Sequence, residues 1–600
     1  MDDTHGSAAE TWPEAGWRLD KLMSSREREA VDAEVAAIAE RIDAFAEVRE
    51  QLDTIDVDGL FALLETYEGL QRDVQRVMGF ASLWFSEDTQ SAEALDCRNR
   101  LQAAMTRAAN KTLFFGLWWQ GLDDARAAEL LAGIEARHAD YGFYLADQRR
   151  KARYRLSEDA EQIINLKNAD GISAVLTLYS LLTNSFHFQP PKDSEAAAAG
   201  EEWTRDQLTT LALSSEADER EWAYKELYRV YGEQRSVLGQ MYVNRVRDWA
   251  SENLQLRGFD SPISVRNVAN DVSDEAVDSL LDVIRERSGV FRDYFKLKAG
   301  WLKQDKLRRY DIYAPLRTSD RRMEYSKAVD LVLDTFGDFD GAIGDHARRV
   351  FAEGHIDVPP RPGKRGGAFC ASPLPDVTPW VLVNFDGTMR DVATLAHEMG
   401  HAVHSMLSED HSVFTHQPCL PLAETASVFA EMLITERLLE QEDDETARRE
   451  IVASSMDDMY ATIARQAYFV IFEREAHQAI GEGAALADLE KIYLGTLAEQ
   501  FGDAVEVSDE FRGEWTAIPH IYAVPFYCYA YSFGQLLVLA LYQRFREEGD
   551  AFIPGYVRLL SYGGSERPEV ALGEMGIDPR DKDFWRGGFA VLDRMLKQLS

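Results

Sequence analysis

The stretch TLAHEMGHAVHSML, residues 394–407, constrains the fold more than any other segment, because it places ionisable side chains inside an apolar, helix-forming run. His397, Glu398, His401 and His404 all lie within eight positions. Burying so many ionisable groups costs free energy unless each one has a partner. The stretch therefore predicts a helix that holds a bound group, with the remaining parts of the site supplied by other segments.

The spacing of His397 and His401 indicates what this helix can hold. Residues four positions apart point to nearly the same side of a helix, one turn apart along its axis. Glu398 lies about 100° round the axis from His397, where its carboxylate can reach a water molecule beside a metal ion. In the pattern H-E-x-x-H, two imidazoles bind zinc and the glutamate is a general base. We therefore predict one zinc ion per chain.

A catalytic zinc ion needs a third protein ligand and keeps one position open for water. The run LAETASVFAEMLITERLL, residues 422–439, predicts an apolar helix with two early acids, Glu424 and Glu431. Glu424 is the predicted third ligand. Glu431 either hydrogen-bonds a ligand histidine or forms a salt bridge where helices pack. His404 is a possible alternative ligand, but its distance along the helix favours a place in the wall of the site.

A second group of polar aromatic residues lies far downstream, in WTAIPHIYAVPFYCYAYSFGQLL, residues 515–537. Such side chains can donate hydrogen bonds to the oxyanion that forms during peptide hydrolysis. They can equally form an aromatic stripe in the core, because a tyrosine is often buried with one hydrogen bond. The nearby zinc motif favours the first interpretation. The group consists of His520, Tyr522, Tyr527, Tyr529 and Tyr531.

The composition excludes several classes of protein. No run of about 18 apolar residues is present, which argues against a membrane-spanning helix. The N-terminal segment is acidic and lacks the features of a secretory signal, so we expect a cytoplasmic protein. Four scattered cysteines form no CxxC pair, so neither a disulfide framework nor a thiolate zinc site is expected.

The chain is strongly acidic, with 103 acidic residues against 65 basic ones and a net charge of −38. Such a surface repels nucleic acids and anionic membranes, so neither is an expected partner. Because salt screens the repulsion between like charges, we interpret the composition as an adaptation to high salt. The alternative is an ordinary acidic protein. The oligomeric state cannot be inferred from the sequence.

Hydrophobic periodicity predicts a mainly α-helical fold in which helices pack against one another. Residues 188–204, with Pro-Pro and a run of small and acidic residues, predict a loop that divides a helical domain (1–200) from a catalytic domain (201–600). Residues 358–388 break the helical pattern, and WVLVNF at 380–385 predicts a small β segment beside the metal-binding helix. Thr388 and Asp391 predict the capped start of that helix.

These motifs together resemble a known family. HEMGH, the glutamate within AETASVFAE, and PHIYAVPFYCY resemble the M3 metallopeptidases, and in particular the oligoendopeptidase F branch, which is related to thimet oligopeptidase and neurolysin. The segments GKRGGAF and PWVLVNF resemble the same branch. The match is specific from about residue 360 to 535 and looser over the N-terminal helical part.

The resemblance implies an elongated multi-helix body with a deep substrate channel, a zinc ion on its floor, and short peptides as substrates. It assigns the zinc ligands to His397, His401 and Glu424, and the general base to Glu398. It also assigns catalytic roles to His520 and Tyr529, and contact with substrate to Tyr522 and Tyr527. Phe526 stands where the thimet-like branch has a tyrosine, so that phenol's role does not transfer.

The sequence thus predicts a zinc endopeptidase that cleaves short peptides with a water molecule activated by the metal and by Glu398. WVLVNF is expected to act as an edge strand that pairs with an extended peptide. Two alternatives remain. One is a zinc aminopeptidase with the same motif, and the other is a non-catalytic, zinc-stabilised helical protein that binds peptides.

Overall fold

The structure is a computed structural model that describes residue 12 and residues 14–192, 194–316 and 322–600. These residues form mostly α-helices with a few short strands, so the predicted mainly α-helical class is confirmed. The chain forms two compact units. Unit 1 consists of Met1–Arg153, Asp320–Gln441 and Glu548–Met575, and unit 2 consists of Tyr154–Ser319, Glu442–Glu547 and Gly576–Ser600.

The helices of the first half of the chain run as follows: α1 (Arg28–Ala46), α2 (Val57–Glu87), α3 (Ala92–Gly121), α4 (Asp124–Glu135), α5 (Ala139–Lys151), α6 (Glu158–Asp170), α7 (Ile172–Asn184), α8 (Glu195–Ala199), α9 (Arg205–Ala212), α10 (Ala217–Glu233), α11 (Arg235–Trp249), α12 (Ser264–Ala269), α13 (Asp274–Arg287) and α14 (Gly289–Trp301). Those of the second half are α15 (Tyr325–Phe339), α16 (Gly341–Ala352), α17 (Met389–Leu407), α18 (Leu420–Ala423), α19 (Thr425–Gln441), α20 (Glu445–Met459), α21 (Arg465–Gly481), α22 (Leu486–Phe501), α23 (Pro519–Ala523), α24 (Tyr529–Glu548), α25 (Ile553–Ser561), α26 (Pro568–Glu574) and α27 (Lys582–Leu599).

The strands are short and form two small sheets. In unit 2, β1 (Leu307–Arg308) pairs in parallel with β5 (Val505–Glu506). In unit 1, the order is β2-β4-β3, with β4 parallel to β2 and antiparallel to β3. These strands are β2 (Ile356–Asp357), β3 (Phe369–Ala371) and β4 (Trp380–Leu382).

The sheet of unit 1 confirms one prediction and corrects another. It packs against α17, so the β segment lies beside the metal-binding helix as expected. The prediction that 380–385 acts as an edge strand is wrong, because β4 is the middle strand and all three of its residues are buried. Its hydrogen-bonding groups are already paired with the two neighbouring strands. The edge strand on the antiparallel side is β3.

Helix α17 begins where the sequence predicted. The Thr388 hydroxyl accepts a hydrogen bond from the Asp391 backbone N–H at 3.1 Å, and the Asp391 carboxylate accepts one from the Thr388 N–H at 2.9 Å. This reciprocal capping box satisfies two N–H groups that a helix start leaves without intrahelical partners.

The predicted boundary near residue 200 does not coincide with the two compact units. Residues 188–204 lie inside unit 2, where Phe188 and Trp203 pair as an antiparallel bridge around the short helix α8. Both units are built from separate stretches of chain, so a single cut in the sequence cannot separate them. As a division into independently folding domains, 1–200 and 201–600 stays a prediction.

Two compositional expectations can also be compared with the structure. Within the described ranges, no helix is both long and apolar enough to cross a membrane. The four cysteines are all described, and each is a free thiol. The N-terminal residues that carried the expectation of a cytoplasmic location lie largely outside the described residues.

Candidate metal centre

The predicted ligands converge in unit 1. His397 and His401 project from α17, and their Nε2 atoms each lie 3.4 Å from the Glu424 Oε2 atom. The ligand atoms of these three residues all lie within 4.8 Å of one another. Two imidazoles and a carboxylate are the donor set of many catalytic zinc sites, which leave a fourth position open. The residues therefore fit a zinc ion.

Gly400 makes this arrangement possible by letting two helices approach closely. A Cβ atom at Gly400 would lie 2.6 Å from the Ser427 Cα atom and 2.7 Å from the Ala426 carbonyl oxygen. Only glycine allows the backbones of α17 and α19 to touch in this way. Glu424 lies at the break between α18 and α19, beside this contact, and its Oε2 accepts a hydrogen bond from the Ser427 hydroxyl at 2.8 Å.

Glu431 orients one of the ligand histidines. The His397 Nδ1–H group donates to Glu431 Oε1 at 2.6 Å, which leaves Nε2 facing Glu424. Such hydrogen bonds fix the tautomer and ring orientation of metal-binding histidines. Of the two interpretations of Glu431 that the sequence left open, the hydrogen bond to a ligand histidine is the one observed.

The charges of the cluster are those of a cation site. Burial lowers the pKa of His397, but its hydrogen bond to Glu431 and the nearby carboxylates outweigh this and raise the pKa to about 9. Burial raises the pKa of Glu424, but the hydrogen bond and charge of His401 outweigh this and bring it to about 2. A proton on His397 thus offsets part of the negative charge of the nearby carboxylates. A bound divalent cation would offset the same charge.

A cavity of about 340 Å³ opens beside the cluster. It is lined by Phe369 and Cys370 of the edge strand β3, by the three ligands and by Glu398. Glu398 is buried, and burial is the main cause of its raised pKa. His404 also lines the cavity and lies outside the ligand cluster. Burial lowers the pKa of His404 to about 3, so it is a neutral wall residue, as the sequence favoured.

The tyrosines of the second predicted group divide into buried and surface residues. Tyr529 and Tyr522 are 0% and 1% exposed. The Tyr529 hydroxyl accepts a hydrogen bond from Asn270 Nδ2 at 2.9 Å, and the Tyr522 hydroxyl donates to the Leu238 carbonyl at 3.3 Å. Both hydroxyls thus have partners in the interior of unit 2, and the catalytic role of Tyr529 and the contact of Tyr522 with substrate stay predictions.

His520, Tyr527 and Tyr531 form a cluster of rings in unit 2 instead. The ring centroids lie 6.0 Å apart for His520 and Tyr527, 6.1 Å for His520 and Tyr531, and 5.3 Å for the two tyrosines. His520 is exposed, and both tyrosines are half-buried. Tyr531 belongs to the predicted aromatic group, but no individual role was assigned to it. It lies two positions after Tyr529 in α24, about 200° round the helix, which explains why one ring is buried and the other is not.

Comparison with known proteins decides the family. A family model described as peptidase family M3 matches residues 210–591, and one described as Oligopeptidase F matches residues 118–188. The chain belongs to peptidase family M3. It is 26% identical over 529 residues to an oligoendopeptidase F homolog of Borreliella burgdorferi, covering 86% of each chain. It is also 24% identical over 581 residues to oligopeptidase PepF of Bacillus subtilis, covering 95% of this chain and 84% of that protein.

Solved structures support the fold of this M3 peptidase. A putative peptidase from Chlamydophila abortus superimposes with a TM-score of 0.85 at 22% identity, covering 98% of both chains. Oligoendopeptidase F from Enterococcus faecium superimposes with a TM-score of 0.71 at 21% identity, covering 95% of this chain and 98% of that one. At this level of identity the likeness establishes the fold.

In this M3 peptidase, three ionisable residues that the sequence analysis did not single out hold the backbone that leads to Tyr527. Glu473 of α21 accepts a hydrogen bond from the Phe526 N–H at 2.9 Å. Phe526 has a φ of 60°, a left-handed conformation that is unfavourable for a bulky residue. The buried carboxylate therefore supports a strained turn immediately before Tyr527.

Two arginines bind carbonyl groups of the same turn. Arg245 Nε donates to the Tyr522 carbonyl at 2.9 Å, and Arg266 Nε donates to the Pro525 carbonyl at 3.4 Å. The sequence offered one indication of this role for Glu473. It is an acid inside an apolar run, YFVIFEREAH (residues 468–477), and the same kind of pattern identified Glu424. The arginines carried no comparable signal, because their partners are more than 250 positions away in the chain.

Proposed function

We propose that this chain is a zinc-dependent endopeptidase that hydrolyses short peptides, with His397, His401 and Glu424 as the ligands of one zinc ion. The observation that carries the proposal is the convergence of both imidazole Nε2 atoms on one Glu424 oxygen, at 3.4 Å each. The cluster borders a cavity that also contains a carboxylate outside the ligand set. A structural zinc site normally has four protein ligands and no adjacent base.

The chemistry divides between the metal and Glu398. Zinc bound here would supply Lewis acidity towards a peptide carbonyl and a water molecule. Glu398 accepts a proton from the attacking water and returns it to the leaving amine. A buried carboxylate with a raised pKa is a stronger base than an exposed one, which suits this role.

We assign the donors for the oxyanion to His520, Tyr527 and Tyr531. A hydrogen bond to an oxyanion strengthens as charge develops, so it lowers the barrier more than it tightens substrate binding. This assignment keeps the catalytic role predicted for His520, gives Tyr527 the oxyanion in place of the predicted contact with substrate, and replaces Tyr529 by Tyr531, whose ring is not fully buried. The proposal concerns kcat, and substitution of each residue in turn tests it.

We propose that an extended peptide pairs with β3. This strand is at the edge of its sheet and lines the cavity beside the ligands. Main-chain pairing with an edge strand selects extended segments regardless of most side chains. We also propose that the peptide reaches this strand through a deep channel, which would exclude folded proteins.

An internally quenched peptide with both ends blocked distinguishes the endopeptidase from an aminopeptidase. We expect cleavage of the blocked peptide, with zinc present at one ion per chain. Cleavage that requires a free amino terminus would support an aminopeptidase. Bound zinc without any cleavage would support the non-catalytic peptide-binding protein.

We further propose a cytoplasmic protein of a high-salt organism that binds neither nucleic acid nor membranes. The net charge of −38 supports this proposal, because self-repulsion of such a surface is tolerable when salt screens it. Dialysis into low salt is expected to unfold the protein. Unchanged stability in low salt would remove the high-salt part of the proposal.

A further inference from the structure

A wall of the metal cavity is formed by residues 408–419, which run from the end of α17 to the start of α18 and are called the wall segment below. Gln417 and Pro418 of this segment line the cavity. The Gln417 Nε2 atom donates to the Ser372 carbonyl at 3.0 Å, and Ser372 lines the same cavity. The wall segment thus connects the helix of the two ligand histidines to Glu424 and borders the space beside them.

His411 joins the wall segment to two other parts of unit 1. Its Nδ1 atom lies 3.0 and 3.1 Å from the two carboxylate oxygens of Asp140, in α5. Its Nε2 atom lies 2.8 Å from the carbonyl oxygen of Ser561, the last residue of α25. Asp140 also accepts a hydrogen bond from the Ser412 backbone N–H at 2.7 Å. One imidazole ring therefore fixes the wall segment to both α5 and α25.

The acceptors on both sides of the His411 ring require it to carry two protons. An ionised carboxylate and a backbone carbonyl can accept a hydrogen bond but cannot donate one. A neutral ring with its N–H group on Nδ1 would leave the Nε2 lone pair 2.8 Å from the Ser561 carbonyl oxygen. The Ser565 hydroxyl lies farther from Nε2, at 3.3 Å. The contacts are therefore those of an imidazolium, which donates from both nitrogens.

The charges near His411 favour the same state. The hydrogen bond to Asp140 raises the pKa of His411 and outweighs burial, which lowers it, and the charge of Asp410 adds to the rise. Burial alone would raise the pKa of Asp140, but the hydrogen bonds from His411 and Ser412 outweigh it and lower that pKa. Burial lowers the pKa of His416 in the same segment, so this second ring is neutral and does not repel the imidazolium.

The other elements that pack here do not compete for the imidazolium. Glu68 of α2 accepts a hydrogen bond from the Val413 N–H at 3.2 Å and another from the Tyr141 hydroxyl. Burial raises the pKa of Tyr141, so this phenol keeps its proton. The turn after α25 faces His411 with a serine carbonyl and a serine hydroxyl, neither of which titrates near neutral pH.

The turn after α25 also contacts the part of the wall segment that lines the cavity. The Gly564 N–H donates to the Thr415 carbonyl at 2.7 Å. A Cβ atom at Gly564 would lie 2.1 Å from the Gln417 carbonyl oxygen, so the two backbones touch there. Because His411 binds the carbonyl of the helix that leads into this turn, its two contacts fix the wall segment and the turn together.

We propose that the His411 imidazolium is a positioning residue that holds the wall segment in the shape required for substrate binding. Loss of one proton breaks one of its two contacts, so the wall segment is released from α5 or from α25. The metal ligands are not contacts of His411. The effect on substrate binding rests on the proposed function, whereas the protonation of His411 and its hold on the wall segment do not.

The first experiment measures the protonation of His411 without any substitution. Exchange of imidazole C2 hydrogens for deuterium, followed by mass spectrometry at a series of pH values, gives a titration midpoint for each histidine of the full chain. We expect a midpoint for His411 above the ordinary value of 6.5. A midpoint at or below 6.5 would show that the ring is neutral near pH 7 and would overturn the proposal.

The second experiment measures the hold on the wall segment by backbone amide exchange. Wild type, His411→Gln and the control His187→Gln are compared below and above the His411 midpoint, with α16 of the same unit as an internal reference. His187 lies in unit 2, and its side chain is 65% exposed. We expect wild type and His187→Gln to lose about tenfold in protection of residues 408–419 as pH rises, because a charged hydrogen bond is lost. His411→Gln should lack this protection at both pH values.

Equal protection of the wall segment in all three proteins would overturn the proposal. A wild-type segment whose protection changes with pH only as much as that of α16 would also overturn it, because the change would then be global. If His411→Gln fails to fold, the two measurements on wild type still decide. Neither requires peptidase activity.

Steady-state kinetics test the effect on substrate binding. KM and kcat for an end-blocked, internally quenched peptide are measured for the same three proteins. We expect KM of His411→Gln to be raised about tenfold with kcat unchanged, and KM of wild type to rise towards that value above the His411 midpoint. A purely structural role would lower the amount of active enzyme and leave KM unchanged, which would contradict the positioning role. Absence of cleavage in all three proteins would refute the proposed function, and the exchange experiments would still decide about His411.

Discussion

The metal cluster of unit 1 and the aromatic segment of unit 2 achieve precise placement by different means. The metal ligands come from helix α17 and from the break between α18 and α19, which are close in sequence, and the backbone contact at Gly400 brings these segments together. The turn before Tyr527 is held by Glu473, Arg245 and Arg266, which lie 53 to 277 positions away from their partners. The first region can therefore be predicted from local sequence, whereas the second depends on ionisable residues that are distant in the chain.

The largest effects are expected from substitutions at the metal cluster of unit 1. Glu424→Ala removes a carboxylate from the cluster, and we expect loss of stoichiometric zinc binding. Glu431→Ala removes only the hydrogen bond to His397, and a loss of about 10–100-fold in zinc affinity is expected. Competition with a chromophoric chelator measures both affinities. Equal losses of zinc affinity in the two variants would show that the assignment of Glu424 as a ligand and Glu431 as an orienting residue is wrong.

The backbone contact at Gly400 can be tested with a matched glycine. Gly400→Ala forces a Cβ atom against α19 and is expected to lower the free energy of unfolding by about 1–3 kcal/mol and to weaken zinc binding. Gly495, within α22, has nothing within 4 Å of its ideal Cβ position. Gly495→Ala should be neutral or stabilising by up to about 1 kcal/mol, since alanine favours helix. Urea unfolding that ranks the two variants equally would refute the close-contact explanation.

The buried carboxylate in unit 2 predicts a pH-dependent stability. Burial raises the pKa of Glu473 from 4.5 to about 8, so the folded protein holds a proton that the unfolded chain releases above pH 4.5. Its contribution to stability is complete below pH 4.5 and is lost as pH rises towards 8, by about 1.4 kcal/mol per pH unit. Glu473→Gln keeps the acceptor for Phe526 and should remove this dependence. Denaturant unfolding at several pH values measures the free energy of unfolding of both proteins. If this free energy changes with pH in the same way in both, the explanation is wrong.

The smallest expected effects separate two tyrosines of α24. Tyr531→Phe should lower kcat about tenfold with little change in stability, because its hydroxyl is proposed to act on the oxyanion. Tyr529→Phe should lower stability by about 1 kcal/mol instead, because it removes the buried hydrogen bond that Asn270 donates to the phenol. Steady-state kinetics combined with thermal unfolding tests both. A larger kcat loss in Tyr529→Phe would restore the role that the sequence assigned to it.

The sequence predicts those features whose cause is local. Helical periodicity, the Thr388 capping box and the spacing of His397 and His401 each depend on a few neighbouring residues, and the structure agrees with all of them. Glu424 was found because an acid in an apolar helix needs a partner. The sequence did not separate the buried Tyr529 from the half-buried Tyr531, because that depends on how helix α24, which begins at Tyr529, packs in unit 2.

Other features depend on the tertiary arrangement and were missed for that reason. The strand WVLVNF was correctly located, but its central place in the sheet follows from pairing with both β2 and β3. The boundary near residue 200 failed to match the compact units because each unit collects three separate stretches of chain. Gly400 was visible within the motif, but the need for glycine there arises only from contact with α19.

We propose above all that Glu398 acts as the base beside a zinc ion held by His397, His401 and Glu424. Its most direct test is the turnover of an internally quenched, end-blocked peptide by wild type and Glu398→Gln, each loaded with one equivalent of zinc. We expect Glu398→Gln to keep its zinc and to lose about 10²–10⁴-fold in kcat. Normal turnover by zinc-loaded Glu398→Gln would mean that Glu398 is not the base.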